Sequence, residues 1–349
     1  MKLLLIAVFW LVSSMSARDK TDVLVLKNGD RITCEVKKLD SGVLEVGIDY
    51  VDGTISIDWR KVARLESSAM FLIKLQNGST YAGKVVTPES LPGTAETFEI
   101  QQIQVVEPVS MPRSEVVSMT QTSVSFLQRF DGDVALGSQY SKGNSTNQYN
   151  VSSDIDYEEI NWGARARYNS NLSSSSGAET ATRNQTDLSA IRLLRRSNYF
   201  LTGSVGYLQS SVQGIEGQIT LGFGLGVYLK NTDRVRLTLL GGPGWQRTAY
   251  TSSETEQAVQ KIGVFLISSS LEAFRFKKMR LAATANVIPA VTDTGRVFIN
   301  SNVSYYLKLF GKLNWNFSVY GNFDSRPPGE LSGSDYGTST GLSWSFGNR

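Results

Sequence analysis

Residues 313–323 of the chain read Leu313-Asn314-Trp315-Asn316-Phe317-Ser318-Val319-Tyr320-Gly321-Asn322-Phe323. The odd positions carry apolar residues, aromatic residues or glycine, and the even positions, apart from Tyr320, carry Asn or Ser. Because successive side chains of a β-strand point to opposite faces, this segment predicts a strand with one apolar and one polar face.

The same alternation recurs from residue 129 to residue 346, with no helical pattern between the strands. It predicts an all-β fold with about twelve antiparallel strands. We expect these strands at 132–141, 148–158, 160–171, 183–194, 198–209, 216–230, 234–250, 260–276, 280–291, 296–309, 312–324 and 335–346. Such a series has two main solutions, a soluble β-sandwich or a barrel that is apolar outside and polar inside.

The connections between the predicted strands distinguish these two solutions. Tight connections at 158–160, 195–197, 231–233, 277–279 and 310–311 alternate with longer ones at 141–147, 172–182, 210–215, 251–256 and 325–334, and 291–295 is intermediate. Outer-membrane barrels alternate short periplasmic turns with longer external loops in this way. The pattern therefore favours a transmembrane barrel, and an even strand number places both barrel ends on the periplasmic side.

Three further regions are predicted ahead of the barrel, which occupies 129–349. Residues 1–17 have the positive start, apolar core and small-residue cleavage region of a signal peptide. Residues 18–107 contain a near-repeat in which each copy places an Asn-Gly pair, Asn28-Gly29 or Asn77-Gly78, between two strands. This repeat predicts a small periplasmic β module of the SH3/Sm kind, either a binding module or a folded spacer. Residues 108–128 are predicted to be a linker, since Pro108 and Pro112 interrupt strands, although the Val-Val pair at 116–117 and the Val-Ser-Phe-Leu run at 124–127 could add a strand.

Composition excludes several classes of function. The chain of 349 residues has a net charge of +3 and no dense basic run, which argues against a nucleic-acid partner. It contains no His and a single cysteine, Cys34, so we predict no catalytic residues and no metal site. Gly222, Gly224 and Gly226 lie within a predicted strand with no following helix, which does not fit a dinucleotide loop. No cofactor is predicted.

The register of the predicted strands places charged and polar side chains inside the barrel. With a tight turn at 158–160, Asp154 lies nearly opposite Arg165. Two interpretations remain open: a pore with a mixed or locally basic lining, or an ion-pair network that fills a narrow lumen. The candidate lumen-lining residues are Asp154, Asp156, Arg165, Arg167, Arg234, Arg236 and Gln246.

The outward-facing positions carry aromatic residues that concentrate near strand ends. Such residues form girdles at the lipid–water boundary of membrane barrels, although Tyr and Trp are also good strand formers. The candidate girdle residues are Tyr149, Tyr157, Trp162, Tyr168, Trp315, Phe323, Trp344 and Phe346.

Three segments resemble a known family of bacterial barrels, the salt-induced outer membrane proteins or domain of unknown function 481. They are 132–145, 199–227 and 323–346, with Gly222-Phe223-Gly224-Leu225-Gly226-Val227 and the final Gly341-Leu342-Ser343-Trp344-Ser345-Phe346 as the clearest motifs. The resemblance implies an outer-membrane location and a barrel, but it carries no activity and no functional residues. It also implies contact with outer-membrane lipid and with the barrel-assembly machinery.

Two functions are consistent with these patterns. The first is a narrow, non-enzymatic channel for small polar or ionic solutes. The second is a structural or envelope-stress barrel with a plugged lumen, whose periplasmic module binds another envelope component.

Overall fold

The computed structural model describes residues 20–51, 53–87, 97–102, 107–121, 130–141, 146–159, 161–174, 180–194, 197–251, 259–275, 278–327 and 332–346. These residues form a ten-stranded antiparallel sheet followed by a closed barrel of twelve antiparallel strands. The predicted all-β fold with a twelve-stranded barrel is therefore confirmed. Within the described ranges, no helix is long and apolar enough to cross a membrane. The predicted signal peptide lies outside the described residues.

The first sheet forms the N-terminal module and consists of two units. In the first unit, β5 pairs with β1, and β2, β3 and β4 follow in order; in the second unit, β10 pairs with β6, and β7, β8 and β9 follow. A short 3₁₀ turn precedes the last strand of each unit, Trp59–Lys61 in the first and Arg113–Glu115 in the second. The strands are β1 Asp22–Leu26, β2 Arg31–Asp40, β3 Val43–Gly47, β4 Ile55–Asp58, β5 Val62–Glu66, β6 Phe71–Leu75, β7 Thr80–Val86, β8 Thr97–Gln102, β9 Val109–Pro112 and β10 Val116–Gln121.

The two units have the same strand order. The internal repeat therefore covers five strands in each unit and not only the Asn-Gly hairpins that indicate it in the sequence. Gly29 and Gly78 occupy corresponding turns with φ of 92° and 79°, values that favour glycine. One continuous core joins the units, and the ring of Trp59 stacks on that of Phe98 with centroids 5.2 Å apart. The pairing of β10 with β2 makes them one sheet instead of two separate barrels. The SH3/Sm resemblance of each unit stays a prediction.

The linker predicted at 108–128 is wrong over its first part. Residues 109–121 form β9, a 3₁₀ turn and β10, and β10 lies between β2 and β6 in the sheet. Pro112 does not break the sheet because it ends β9, where a missing N–H is tolerated. The second unit needs this segment, since β10 supplies its closing strand.

The barrel strands follow the predicted positions within about three residues, the error expected of sequence-based boundaries. They are β11 Phe130–Ser141, β12 Thr146–Glu158, β13 Trp162–Ser174, β14 Ala181–Leu193, β15 Tyr199–Ser210, β16 Ile215–Asn231, β17 Val235–Tyr250, β18 Val259–Arg275, β19 Met279–Pro289, β20 Val297–Phe310, β21 Leu313–Asp324 and β22 Ser334–Phe346. Pairing of β11 with β22 closes the barrel. We name the two ends by their connections. The turn end carries 159–161, 194–198, 232–234, 276–278 and 311–312, and the loop end carries the other connections.

The outer surface of the barrel exposes many more large apolar side chains than the surface of the module does. The large apolar side chains exposed on the described part of the module are Tyr50 and Val51, whereas exposed apolar residues occur on every strand of the barrel. Phe223, in the middle of β16, is 60% exposed, and Trp344 near the end of β22 is 57% exposed. Burying such a surface in lipid is favourable, so the exterior is that of a membrane-spanning barrel.

Seven of the eight candidate girdle residues lie near strand ends, and six of these seven are exposed or partly exposed. Tyr149, Trp162, Phe323 and Trp344 are exposed, and Trp315 and Phe346 are partly exposed. Tyr157 is only 7% exposed, because the rings of Phe130 and Trp162 pack against it with centroids 4.9 and 5.1 Å away. Tyr168 is exposed but lies midway along β13, so the girdle interpretation does not fit its position.

The module packs against the turn end of the barrel. Lys38 Nζ in β2 lies 2.9 Å from Asp131 Oδ2 in β11, and Asn231 Nδ2 donates to the Leu75 carbonyl at 3.4 Å. Around the rim, Arg234 Nη2 lies 3.6 Å from Asp58 Oδ2. The module therefore covers the end of the lumen at which the chain enters and leaves the barrel.

Candidate functional site

Alternation along the strands produces a polar lumen, and its charged part is concentrated at the turn end. Antiparallel pairing sets Asp156 opposite Arg165 and Asp154 opposite Arg167. Asp154, predicted to lie nearly opposite Arg165, is offset from it by one inward position, and Arg165 Nε still lies 3.8 Å from Asp154 Oδ1. The connection between β12 and β13 is longer than assumed, since Glu158 pairs with Gly163 instead of the chain turning tightly at 158–160.

These side chains join a network that crosses the lumen. Arg165 forms an ion pair with Asp156 on the neighbouring strand, and its Nη2 donates to Glu272 Oε1 on β18 at 3.1 Å. Arg236 Nη1 approaches the other carboxylate oxygen of Glu272 at 3.5 Å. Because β13 and β18 are separated by four strands on one side of the ring, the Arg165–Glu272 pair spans the interior.

Arg280 extends the network to the strands at the closure of the barrel. Its Nη1 donates to Asp133 Oδ2 on β11 at 3.1 Å, and its Nη2 lies 3.5 Å from Asp154 Oδ2. Arg167 Nε lies 3.7 Å from the same oxygen of Asp154. We call these groups the charged layer, in which four guanidinium groups face four carboxylates: Asp133, Asp154, Asp156, Arg165, Arg167, Arg236, Glu272 and Arg280.

The charged layer separates two cavities. The larger, of about 430 Å³, extends along the lumen and reaches the module at Leu75 and Gly78. The smaller, of about 150 Å³, lies between the module turn at Asp40 and the turn end of the barrel. Tyr306 and five charged-layer residues line both cavities, namely Asp133, Asp156, Arg165, Arg236 and Glu272. We refer to them as the lumen cavity and the vestibule.

A neutral wall follows the charged layer toward the loop end. The register aligns Ser270 with Thr284 and Thr284 with Asn302, and in the next row it aligns Ser268 with Asn286 and Asn286 with Asn300. All six side chains line the lumen cavity. We call Ser268, Ser270, Thr284, Asn286, Asn300 and Asn302 the amide wall. One row further, the cavity lining changes to the apolar residues Leu266 and Ile288, with Leu240 beside them.

Buried ion pairs also hold the loop end. Arg296 is anchored by Asp324, whose Oδ2 lies 2.6 Å from its Nη2, and by the hydroxyl of Tyr250 at 3.1 Å. In a second pair, Arg183 Nη1 on β14 donates to Asp335 Oδ2 on β22 at 3.0 Å. These pairs link β14 to β22 and the residue just before β20 to the end of β21, so they stabilise the barrel at its loop end.

The structure brings five of the seven candidate lumen residues into the charged layer. Gln246 is buried on the inward face of β17, where its Oε1 accepts from Thr220 Oγ1 at 3.3 Å. Arg234 does not line the lumen cavity, because it precedes β17 and its guanidinium faces Asp58 of the module.

Sequence reasoning missed Asp133, Glu272 and Arg280. Glu272 and Arg280 occupy inward positions by strand parity, so parity is the signal that would have found them. Their partners on distant strands follow only from barrel closure.

The rim contact with the module has an electrostatic cause. Arg60, which bonds to Asp58, holds the pKa of that carboxyl below its ordinary value of 3.8, with a smaller contribution from Arg234. Asp58 is therefore ionised at neutral pH and available to Arg234. Within the described residues, no group of three or more His, Cys, Asp or Glu side chains is arranged to hold a metal ion.

A closed barrel with an apolar exterior and a polar, charged lumen defines the class of outer-membrane β-barrel proteins. Residues 134–346 match the model of the family described as "Protein of unknown function, DUF481", and the chain belongs to this family. The family description does not include the salt-induced designation.

Solved structures of other barrels are similar to this chain. The NanC porin is 12% identical over 61% of this chain and 98% of its own, with a TM-score of 0.39. The translocator domain of the autotransporter NalP from Neisseria meningitidis is 16% identical over 62% of this chain and 87% of its own, with a TM-score of 0.34. The outer membrane protease OmpT from Escherichia coli is 13% identical over 64% of this chain and 99% of its own, with a TM-score of 0.22. At these values none of the likenesses bears on substrate or activity. No curated protein matches the sequence.

Proposed function

We propose that this protein is a narrow, non-enzymatic channel for small polar or ionic solutes, with its module in the periplasm. The observation that carries the proposal is the arrangement of the charged layer between the lumen cavity and the vestibule. A solute that moves between these two spaces must pass the five charged side chains that line both of them. Rings of charged side chains and polar groups are the elements that set selectivity in pores.

The orientation follows from the connections and from the chain ends. Both β11 and β22 have their free ends at the turn end, which is where the module packs. Short connections face the periplasm in outer-membrane barrels, so the module and the vestibule belong on that side. The exposed apolar exterior would then contact outer-membrane lipid, and insertion would depend on the barrel-assembly machinery.

The vestibule offers a route past the module. Its rim is formed at the turn end of the barrel, where Lys278, Lys308 and Lys312 are exposed. The module supplies the other side through Lys38 and Asp40. A solute can therefore leave the charged layer sideways between the module and these turns, without the module leaving the barrel.

The test is single-channel conductance of the refolded full-length protein in a planar bilayer, with Arg165→Ala/Arg167→Ala beside the unmodified protein. We expect discrete current steps, and we expect the double variant to shift the reversal potential toward cation selectivity. Removing two guanidinium groups leaves two carboxylates in excess. Arg192→Ala is the matched control, since Arg192 is exposed on the outward face of β14 near the turn end.

Heat-modifiable gel mobility reports whether each barrel is folded. The absence of current from both the unmodified protein and the double variant, with each shown to be folded, would refute the channel. It would favour a closed structural barrel whose module binds another envelope component. Steps whose selectivity is the same in all three proteins would show that the conduction path avoids the charged layer.

A further inference from the structure

We propose that the lumen cavity selects small, uncharged solutes that carry several hydroxyl groups, such as a monosaccharide, and that the amide wall is their binding site. This inference rests on the channel proposed above and adds the class of solute. Its basis is the chemistry of the cavity beyond the charged layer. The lining beyond the charged layer is uncharged. It is polar at the amide wall and becomes apolar in the row that follows toward the loop end.

The amide wall matches hydroxyl groups in hydrogen-bonding character. Each Asn side chain presents two donors and one acceptor oxygen, and each Ser or Thr hydroxyl both donates and accepts. A sugar hydroxyl also donates and accepts, so neighbouring rows can bond several hydroxyls at once. The rows are contiguous across three strands, since Ser270 is paired to Thr284 and Thr284 to Asn302.

The charged groups that line the lumen cavity belong to the charged layer, lie directly beside it or come from the module. Asp187 lies directly opposite Arg167, a member of the charged layer, and Lys74 enters from the module. None of the six amide-wall residues is charged. A charged solute at the wall would lose hydration without gaining a counter-charge, which is costly in a confined site.

The apolar row gives the cavity its second feature. Leu240, Leu266 and Ile288 lie beside the amide wall, and Leu266 and Ile288 occupy the row next to Ser268 and Asn286. A sugar ring carries hydroxyls on its edge and C–H groups on its faces, so it can satisfy both parts of the lining. The volume of about 430 Å³ is within the range of small-molecule sites, about 300–1,000 Å³.

The experiment measures solute flux in proteoliposomes containing the full-length protein, by osmotic swelling. The probes are glucose, gluconate and glucosamine, which have similar size and are neutral, anionic and cationic. We expect glucose to enter at least about tenfold faster than either charged probe, which corresponds to about 1.4 kcal/mol. The unmodified protein's conductance in KCl is recorded in parallel.

A double variant removes the hydrogen-bonding groups while it keeps the shape of the lumen. Thr284→Val/Asn300→Leu replaces two wall side chains by apolar ones of similar size. We expect glucose flux to fall about tenfold, a loss of about 1.4 kcal/mol, while the KCl conductance step changes less than about twofold. Thr338→Val is the control, because Thr338 is exposed on the outward face of β22 and lines neither cavity.

The outcomes separate this inference from the channel itself. Ion conductance with equal flux of the three probes, or with faster flux of a charged probe, overturns the neutral-solute assignment and leaves the channel standing. Glucose flux that is unchanged in the double variant overturns the role of the amide wall. Folded protein that shows no conductance and no swelling would refute the channel itself.

Discussion

Glu272→Gln tests the charged layer most directly, because this carboxylate contacts two guanidinium groups. Its two oxygens lie 3.1 Å from Arg165 and 3.5 Å from Arg236, and the side chain is only 8% exposed. Gln has the same shape but no charge. The substitution leaves four guanidinium groups and three carboxylates in the layer, so the constriction gains one uncompensated positive charge.

The size of the effect follows from Coulomb's law. An ion about 6 Å from the extra charge interacts with it by about 0.7 kcal/mol at the dielectric constant of water and about 3 kcal/mol at an effective constant of 20. Even the smaller energy changes the permeability of each ion by a factor of about three. Anions are attracted and cations repelled, so we expect the chloride-to-potassium permeability ratio to rise about tenfold or more.

The measurement is the reversal potential of single channels in a KCl gradient. Glu216→Gln is the matched control, since it removes the same charge from an exposed position at the loop end of β16. An unchanged reversal potential in a conducting Glu272→Gln channel would refute the reasoning. Arg165 keeps Asp156 as a partner, so we expect the barrel to fold.

Three further predictions concern stability and docking. Phe223→Arg, in the middle of β16, should lower the unfolding free energy in lipid by about 2–4 kcal/mol, whereas Phe310→Arg near the turn end costs about 0–1 kcal/mol; equal losses would contradict a membrane-spanning exterior. Arg296→Ala leaves a buried carboxylate unpaired and should cost about 3–5 kcal/mol in urea unfolding; a neutral effect would show that the loop-end pair is not structural. Because the pKa of Asp58 is lowered, the contact of Asp58 with Arg234 stabilises docking fully at any pH above the pKa of Asp58 in the unfolded chain. This stabilisation is lost only as the pH falls below about 4. Spin-label distances between module and barrel should therefore be equal at pH 7 and pH 5, and a change over this range would contradict the assignment.

Local pattern was sufficient to predict the barrel. The period of two in segments such as 313–323 places side chains on faces without any knowledge of tertiary contacts, and all twelve strands were found in this way. The errors occurred where position depends on a distant segment. Val116–Gln121 looked like linker because its pairing partners, β2 and β6, lie far away in sequence.

In the candidate site, too, local pattern predicts which side chains face the lumen but not which distant residues they contact. Asp154, Asp156, Arg165 and Arg167 were assigned to the lumen by parity, since each lies on a strand with a clear apolar face. Their exact partners depended on the length of one turn, which parity does not determine. Glu272 meets Arg165 only because the sheet closes, and a sequence read strand by strand contains no signal for contacts across a closed ring.

The balance of charge in this layer has a consequence for selectivity. A lone buried charge is costly, and pairing each guanidinium with a carboxylate removes most of that cost. A balanced layer also exerts little net field on a passing ion, so the unmodified channel should discriminate weakly between chloride and potassium. Arg236→Gln removes one positive charge near the same carboxylate, and it should shift the permeability ratio toward potassium by a factor similar to that of Glu272→Gln toward chloride. Opposite shifts from two neighbouring substitutions cannot arise from general damage to the barrel, which would act in one direction. Shifts of the same sign would place the conduction path away from the charged layer.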